Sequence, residues 1–118
     1  MNRPSHKELS RKIRAAKEAV SQGNISLINS AAIIADSLEL GYCIESDLRD
    51  ILLELLESTS PEDYAGNRPP QKSYEKEING VELFAFKKTC SYFSGDIYYK
   101  FTLHENELFL VSLHKDRN

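Results

Sequence analysis

The chain has 118 residues, of which 41% are hydrophobic and 28% charged, and its net charge is −3. That is the balance of an ordinary soluble globular protein, long enough for one core and too short for two, so residues 1–118 are expected to form a single domain. No apolar run approaches a membrane span and the first twenty residues are too charged for a signal peptide, which points to a cytoplasmic protein with no membrane partner.

Ser5, with Glu8 three residues later, forms a capping-box pattern, and Gly23 stands where a helix end favours a left-handed residue. Between them Leu9, Ile13, Ala16 and Val20 share one helical face, while Lys7, Arg11 and Arg14 share the opposite one. Residues 1–22 carry a net +4. The basic stripe reads either as solvated surface or as a contact for phosphates or an acidic partner.

A second helix is predicted from about Ser26 to Leu40, with Leu27, Ala31, Ile34 and Leu38 as its apolar stripe and Gly41 as its stop. A third runs from about Ser46 to Glu57 on Leu48, Ile51, Leu52, Leu55 and Leu56, with Asp47 and Asp50 suiting its first turn. "SPEDY" then restarts a short helix, with Ser60 as N-cap, Pro61 at the first position and Gly66 as the end. Residues 23–67 carry a net −8. Cys43 and Cys90 fit no spaced motif, so neither a disulfide framework nor a zinc site is expected, and no metal or cofactor is implied.

"GNRPPQK", residues 66–72, breaks structure, and everything after it reads as strand. "SYEKEINGVELFAFKK" places Asn79-Gly80 between two strand-like runs, a hairpin signal. "GDIYYKFTLHENELFLVSLHKDRN" closes the chain as a second hairpin. Helices first (1–66) and then an antiparallel sheet of three to four strands (71–116) make an α+β domain.

In the last hairpin, pairing Leu103 with Phe109 gathers Ile97, Tyr99, Phe101, Leu103, Phe109, Val111 and Leu113 on one face. The other face then carries Tyr98, Lys100, Thr102, Leu110, Ser112 and His114, with Tyr98 opposite His114 and Lys100 opposite Ser112. Pairing Leu103 with Leu108 instead would bury Ser112 and His114, at about 1–3 kcal/mol for each unpartnered group. The first register is therefore expected. A phenol, an imidazole and an ammonium on one exposed face form an acid–base set suited to a phosphodiester: imidazole moves protons near neutrality and lysine stabilises charge on phosphate oxygens.

"GDIYYKFTLHENELFLVSLHKD" resembles the C-terminal hairpin of the MqsR-like toxins, within the RelE-type mRNA interferase superfamily. Gly95, Ile97, Tyr98, Lys100, Thr102, Val111, Ser112, Leu113, His114 and Lys115 match the family ending. Upstream, the stretch from Ile25 through "SPEDY" is similar to the family's helical part, and "FAFKKT" to the strand before its final hairpin. After Asp63-Tyr64 the family usually has a lysine; this chain has Ala65, Gly66 and Asn67, and Arg68 is the nearest cation. The resemblance implies a RelE-like fold and the toxin of a type II toxin–antitoxin pair, an endoribonuclease acting on mRNA without metal. Its partners would be mRNA and a cognate antitoxin protein, with ribosome dependence left open. It implies His114 as general acid or base, Tyr98 as its partner, Lys100 as phosphate stabiliser, and Lys87, Lys88 and Arg68 as further RNA contacts. The rival reading is an interaction module that keeps the toxin fold without cleavage, to which the missing lysine and the acidic helices speak.

Overall fold

A computed structural model describes residues 3–117. Its elements are α1 (His6–Ser21), β1 (Ile25–Leu27), α2 (Ser30–Leu40), α3 (Ile44–Ser58), a 3-10 turn at Pro61–Asp63, another at Lys76–Ile78, then β2 (Phe84–Thr89), β3 (Asp96–His104) and β4 (Glu107–Lys115). The fold is α+β, three helices on an open four-stranded sheet of order β1-β4-β3-β2. Among the described residues no helix is long and apolar enough to cross a membrane.

The sheet is mixed and not purely antiparallel, because β1 runs parallel to β4. This strand occupies the start of the predicted second helix. The outer edge of β4 offers backbone groups that need partners, and the Asn24 carbonyl and the Ile28 N–H take up Leu108 N and Leu110 O. Ile25-Ser26-Leu27 suits a short strand, whereas a helix begun at Ser26 would leave that edge unpaired.

Helix α2 therefore starts at Ser30, and it turns a different face inward from the predicted stripe. Ile33 and Ser37 are buried, while Ile34 is 48% and Leu38 77% exposed. Two anchors fix this rotation: Ile28 before the helix and Tyr42 after it are both buried. Helix α1 keeps its predicted face, with Leu9, Ile13, Ala16, Ala19 and Val20 buried. Ser5 caps it by accepting from Glu8 N, but the Glu8 carboxylate pairs with Arg3 and so does not reach back to close the box. Helix α3 buries Leu48, Ile51, Leu52, Leu55 and Leu56 as predicted.

Against α1 and α3 lies one face of the sheet, made of Phe84 and Phe86 of β2, Ile97, Tyr99 and Phe101 of β3, and Leu108, Leu110 and Leu113 of β4. The Tyr99 hydroxyl, buried there, reaches Thr59 Oγ1 at 2.6 Å. The opposite face has two halves. Near the β3–β4 turn it is covered by a lobe in which Ile78 and Leu83 pack with Ile28, Phe109 and Val111. Thr102 is sealed beneath that lobe, donating to the Glu82 carbonyl at 2.5 Å.

The lobe replaces the predicted hairpin around Asn79-Gly80. Tyr74–Ile78 is not a strand; Lys72 and Glu82 form a single bridge, and Lys76–Ile78 is a 3-10 turn. Asn79 at φ −60° and ψ 127°, followed by Gly80 at φ +82°, makes a type II turn closed by Val81 N to Ile78 O at 3.1 Å. Only the second position of that turn needs positive φ, and glycine supplies it.

Candidate functional site

The half of the outer face that the lobe leaves open is set by a β-bulge in the last hairpin. Close to the turn, Leu103 pairs with Leu108 and Phe101 with Leu110, the register rejected from the sequence. A shift between Lys100 and Phe101 makes Val111 the extra residue. Beyond it the predicted pairs appear, Lys100 with Ser112 and Tyr98 with His114. The bulge resolves the conflict between the two registers: Leu108, Leu110 and Leu113 all reach the main core, and Ser112 and His114 still face outward. Leu110 thus leaves the predicted polar face for the core. Phe109 and Val111 leave the predicted core face for the lobe.

The Tyr98 and His114 rings stack across β3 and β4, 5.2 Å between centroids and 19° from parallel. His114 Nδ1 lies 2.9 Å from the Lys115 carbonyl oxygen. A carbonyl can only accept, so Nδ1 carries the proton and Nε2 of a neutral ring is left as the acceptor. Tyr98 is half-buried, and burial raises its phenol above the ordinary value while Lys87 partly offsets this. At neutral pH the phenol is protonated. The pair thus presents a proton acceptor beside a proton donor.

Lys87, paired with Tyr98 from β2, continues the row Lys87–Tyr98–His114 across three strands. Its ammonium lies 3.2 Å from Asp116. Lys100 sits one pair along, between Ala85 and Ser112, in a small cleft under the 65–71 loop with Gly66, Asn67, Gln71 and Tyr98. The structure does not bring Lys88 to this group. Strand alternation turns it to the other face, where it meets Asp63 at 3.3 Å. Arg68 lies on the rim, its guanidinium 5.0 Å from the centre of the Tyr64 ring.

Several carboxylates around the site were not foreseen. Glu62, Asp63 and Asp116 line a cleft with Tyr64, Ala65, Lys87 and Tyr98. Asp116 was legible, since it follows His114 by two residues and so shares its face. The approach of Glu62 and Asp63 depends on Tyr64 bridging to Phe86 along the edge of β2, a long-range pairing with no local signal. Gly66 matters to that edge. A Cβ there would stand 2.6 Å from the Tyr64 hydroxyl, which donates to the Asn67 carbonyl at 2.5 Å.

His6 and His104 are exposed, and His6 lies near Glu62. Cys43 is exposed and Cys90 buried, both as free thiols. Among the described residues no three His, Cys, Asp or Glu side chains converge as metal ligands would. No family model matches the chain, and no curated protein matches it either.

Proposed function

We propose that the protein is a metal-independent endoribonuclease of the RelE type, the toxin of a toxin–antitoxin pair, acting on mRNA. The observation that carries this reading is the stacked Tyr98–His114 pair, with Lys87 across from Tyr98 on β2 and Lys100 next to Tyr98 on the same face of β3. The likeness of the last hairpin to the MqsR-like toxins supports it.

In the proposed reaction His114 Nε2 takes the proton of a ribose 2′-OH, and the 2′-oxygen attacks the adjacent phosphorus. Lys100 and Lys87 stabilise the charge that grows on the non-bridging oxygens. The P–O5′ bond breaks and the Tyr98 phenol protonates the departing 5′-oxygen. The products are a 2′,3′-cyclic phosphate and a 5′-OH. Return of the proton from the imidazolium to the phenolate resets the pair, so no proton is gained or lost by the enzyme.

A second reading has its own observation. Lys87 and Lys88 are held by Asp116 and Asp63, and Glu62 adds a further acid to the cleft beside Tyr98. Such a site repels phosphate and suits a basic protein segment, as an interaction module without cleavage would need. Incubation with mRNA, with and without EDTA, followed by analysis of fragment ends, separates the two. Fragments ending in 2′,3′-cyclic phosphate and 5′-OH, formed equally with EDTA, are the expected result. Intact RNA, with a basic partner captured by the same face, would replace the first reading by the second.

A further inference from the structure

On the helical side of the sheet, α1 carries five cations over three turns: Lys7, Arg11, Lys12, Arg14 and Lys17. Lys7, Arg11 and Arg14 are exposed; Lys12 and Lys17 flank them half-buried, and the Lys12 ammonium lies 5.4 Å from the centre of the Phe84 ring. None of the five lies within 4.0 Å of a carboxylate among the described residues. This holds in a chain with 18 acidic residues against 15 basic ones. Glu8, on the same helix, is already held by Arg3.

We infer that this outward face of α1 is an RNA-docking surface, distinct from the Tyr98–His114 face, that grips the phosphate backbone. Its composition argues for nucleic acid over protein. A protein interface needs an apolar centre and is depleted in lysine, whereas backbone contacts need cations and little else. Between the cations this face offers Ser10, Ala15, Glu18 and, beside Lys7 and Arg11, the carboxylates of Glu8 and Glu82, both already held by Arg3; no large apolar side chain stands at its centre. Lys7 to Arg14 spans about 10 Å of helix, enough to follow three or so successive phosphates of one strand.

Its location makes the surface a second one. The buried face of α1 shares one core with Tyr99, Phe101 and Leu113, which point to the opposite side of the sheet from Tyr98 and His114. The sheet lies between the stripe and the open face, and α1 approaches the cleft only at its N-terminal end, against the 3-10 turn at Pro61–Asp63. RNA held on α1 is thus anchored without occupying the cleavage face. The choice of RNA as the polyanion rests on the proposed function.

The test measures binding of a 2′-O-methyl RNA, which has no nucleophile and cannot be cleaved, across a salt series. Each phosphate contact adds about 0.7–0.9 to the slope of log K against log salt. The triple variant Lys7→Gln, Arg11→Gln, Arg14→Gln, helix-compatible at each position, is expected to lower that slope by about 2 and weaken binding at least tenfold at low salt. Cleavage of unmodified RNA is assayed in parallel, so loss of cleavage and loss of docking are read separately. A triple variant that melts like the wild type yet keeps its full slope and affinity would overturn the inference. So would equal affinity for polyglutamate of matched charge, which would assign the stripe to an acidic protein.

Discussion

His114 stacks on Tyr98 while its Nδ1 donates to the Lys115 carbonyl, so one neighbour fixes the plane of the ring and the other fixes its tautomer. Together they leave Nε2 as the nitrogen free to accept a proton. Positioned acid–base groups contribute about 10²–10⁴-fold to a reaction. His114→Ala and Tyr98→Phe are each expected to lower RNA cleavage by that range. His114→Ala also loses the ring contact, at about 0.5–1.5 kcal/mol, and Tyr98→Phe keeps it. Cleavage assays paired with thermal melts check this; wild-type rates in both folded variants would leave the mechanism without its proton carriers.

The inverted face of α2 makes a direct comparison between two positions of one helix. Ile33 is fully buried in the main core and Leu38 is 77% exposed. Ile33→Ala is expected to cost about 2–5 kcal/mol, as large-to-small changes in a close-packed core do. Leu38→Ala should fall within about 0.5 kcal/mol of the wild type. Urea denaturation of the two variants reads the difference, and the reverse order would restore the stripe read from the sequence.

That stripe shows where sequence reasoning stops. Periodicity located α1 and α3 because each has one apolar face and a polar one opposite. In α2 apolar residues occur nearly all round, so its rotation is set by the anchors Ile28 and Tyr42 and by the strand at Ile25–Leu27, none of which periodicity registers. The last hairpin shows the same limit in another form. Alternation along the sequence implies a single register for β3 and β4, and the chain uses two joined at Val111. The candidate site was legible all the same, because Tyr98, Lys100, Ser112 and His114 lie beyond the bulge, where the predicted pairing holds. The carboxylates at Glu62 and Asp63 came from a distant segment and were not legible.

The Tyr42 hydroxyl is buried without a hydrogen-bond partner among the described residues. Burial, with a smaller contribution from Asp36, pushes its phenol from 10.0 up to about 12. Above pH 10 the unfolded chain releases this proton before the folded one does, so folding weakens as pH rises from 10 toward 12. The stability is fully present below pH 10. Cys90, pushed up to about 11 by burial, adds to the loss in the same direction from pH 9. Tyr42→Phe keeps the ring against Phe93, 5.8 Å away, and removes the orphan hydroxyl. It is expected to be as stable at pH 7 or more stable by up to about 1 kcal/mol, and to lose less stability between pH 10 and 12. Denaturant titrations at pH 7, 10 and 11.5 measure both effects; an alkaline decline as steep as the wild type's would remove Tyr42 from the account.

The ion pair between Lys87 and Asp116, 3.2 Å long and partly exposed, decides between the two functional readings. If Lys87 serves phosphate, Asp116 competes with the substrate for it, and the acid also repels RNA from the cleft. Asp116→Asn keeps the side-chain shape while removing the charge, so it should raise RNA affinity several-fold and Lys87→Met should lower both affinity and cleavage. If the cleft serves a basic protein segment, the same substitutions act in the opposite sense. Asp116→Asn would weaken capture of that segment, and Lys87→Met would strengthen it by leaving Glu62, Asp63 and Asp116 facing the cleft with one cation fewer. An exposed pair is worth only about 0–1 kcal/mol, so neither change should disturb the fold. Titrating each variant with RNA and with a basic peptide therefore yields opposite orders of affinity under the two readings, and the order found selects one.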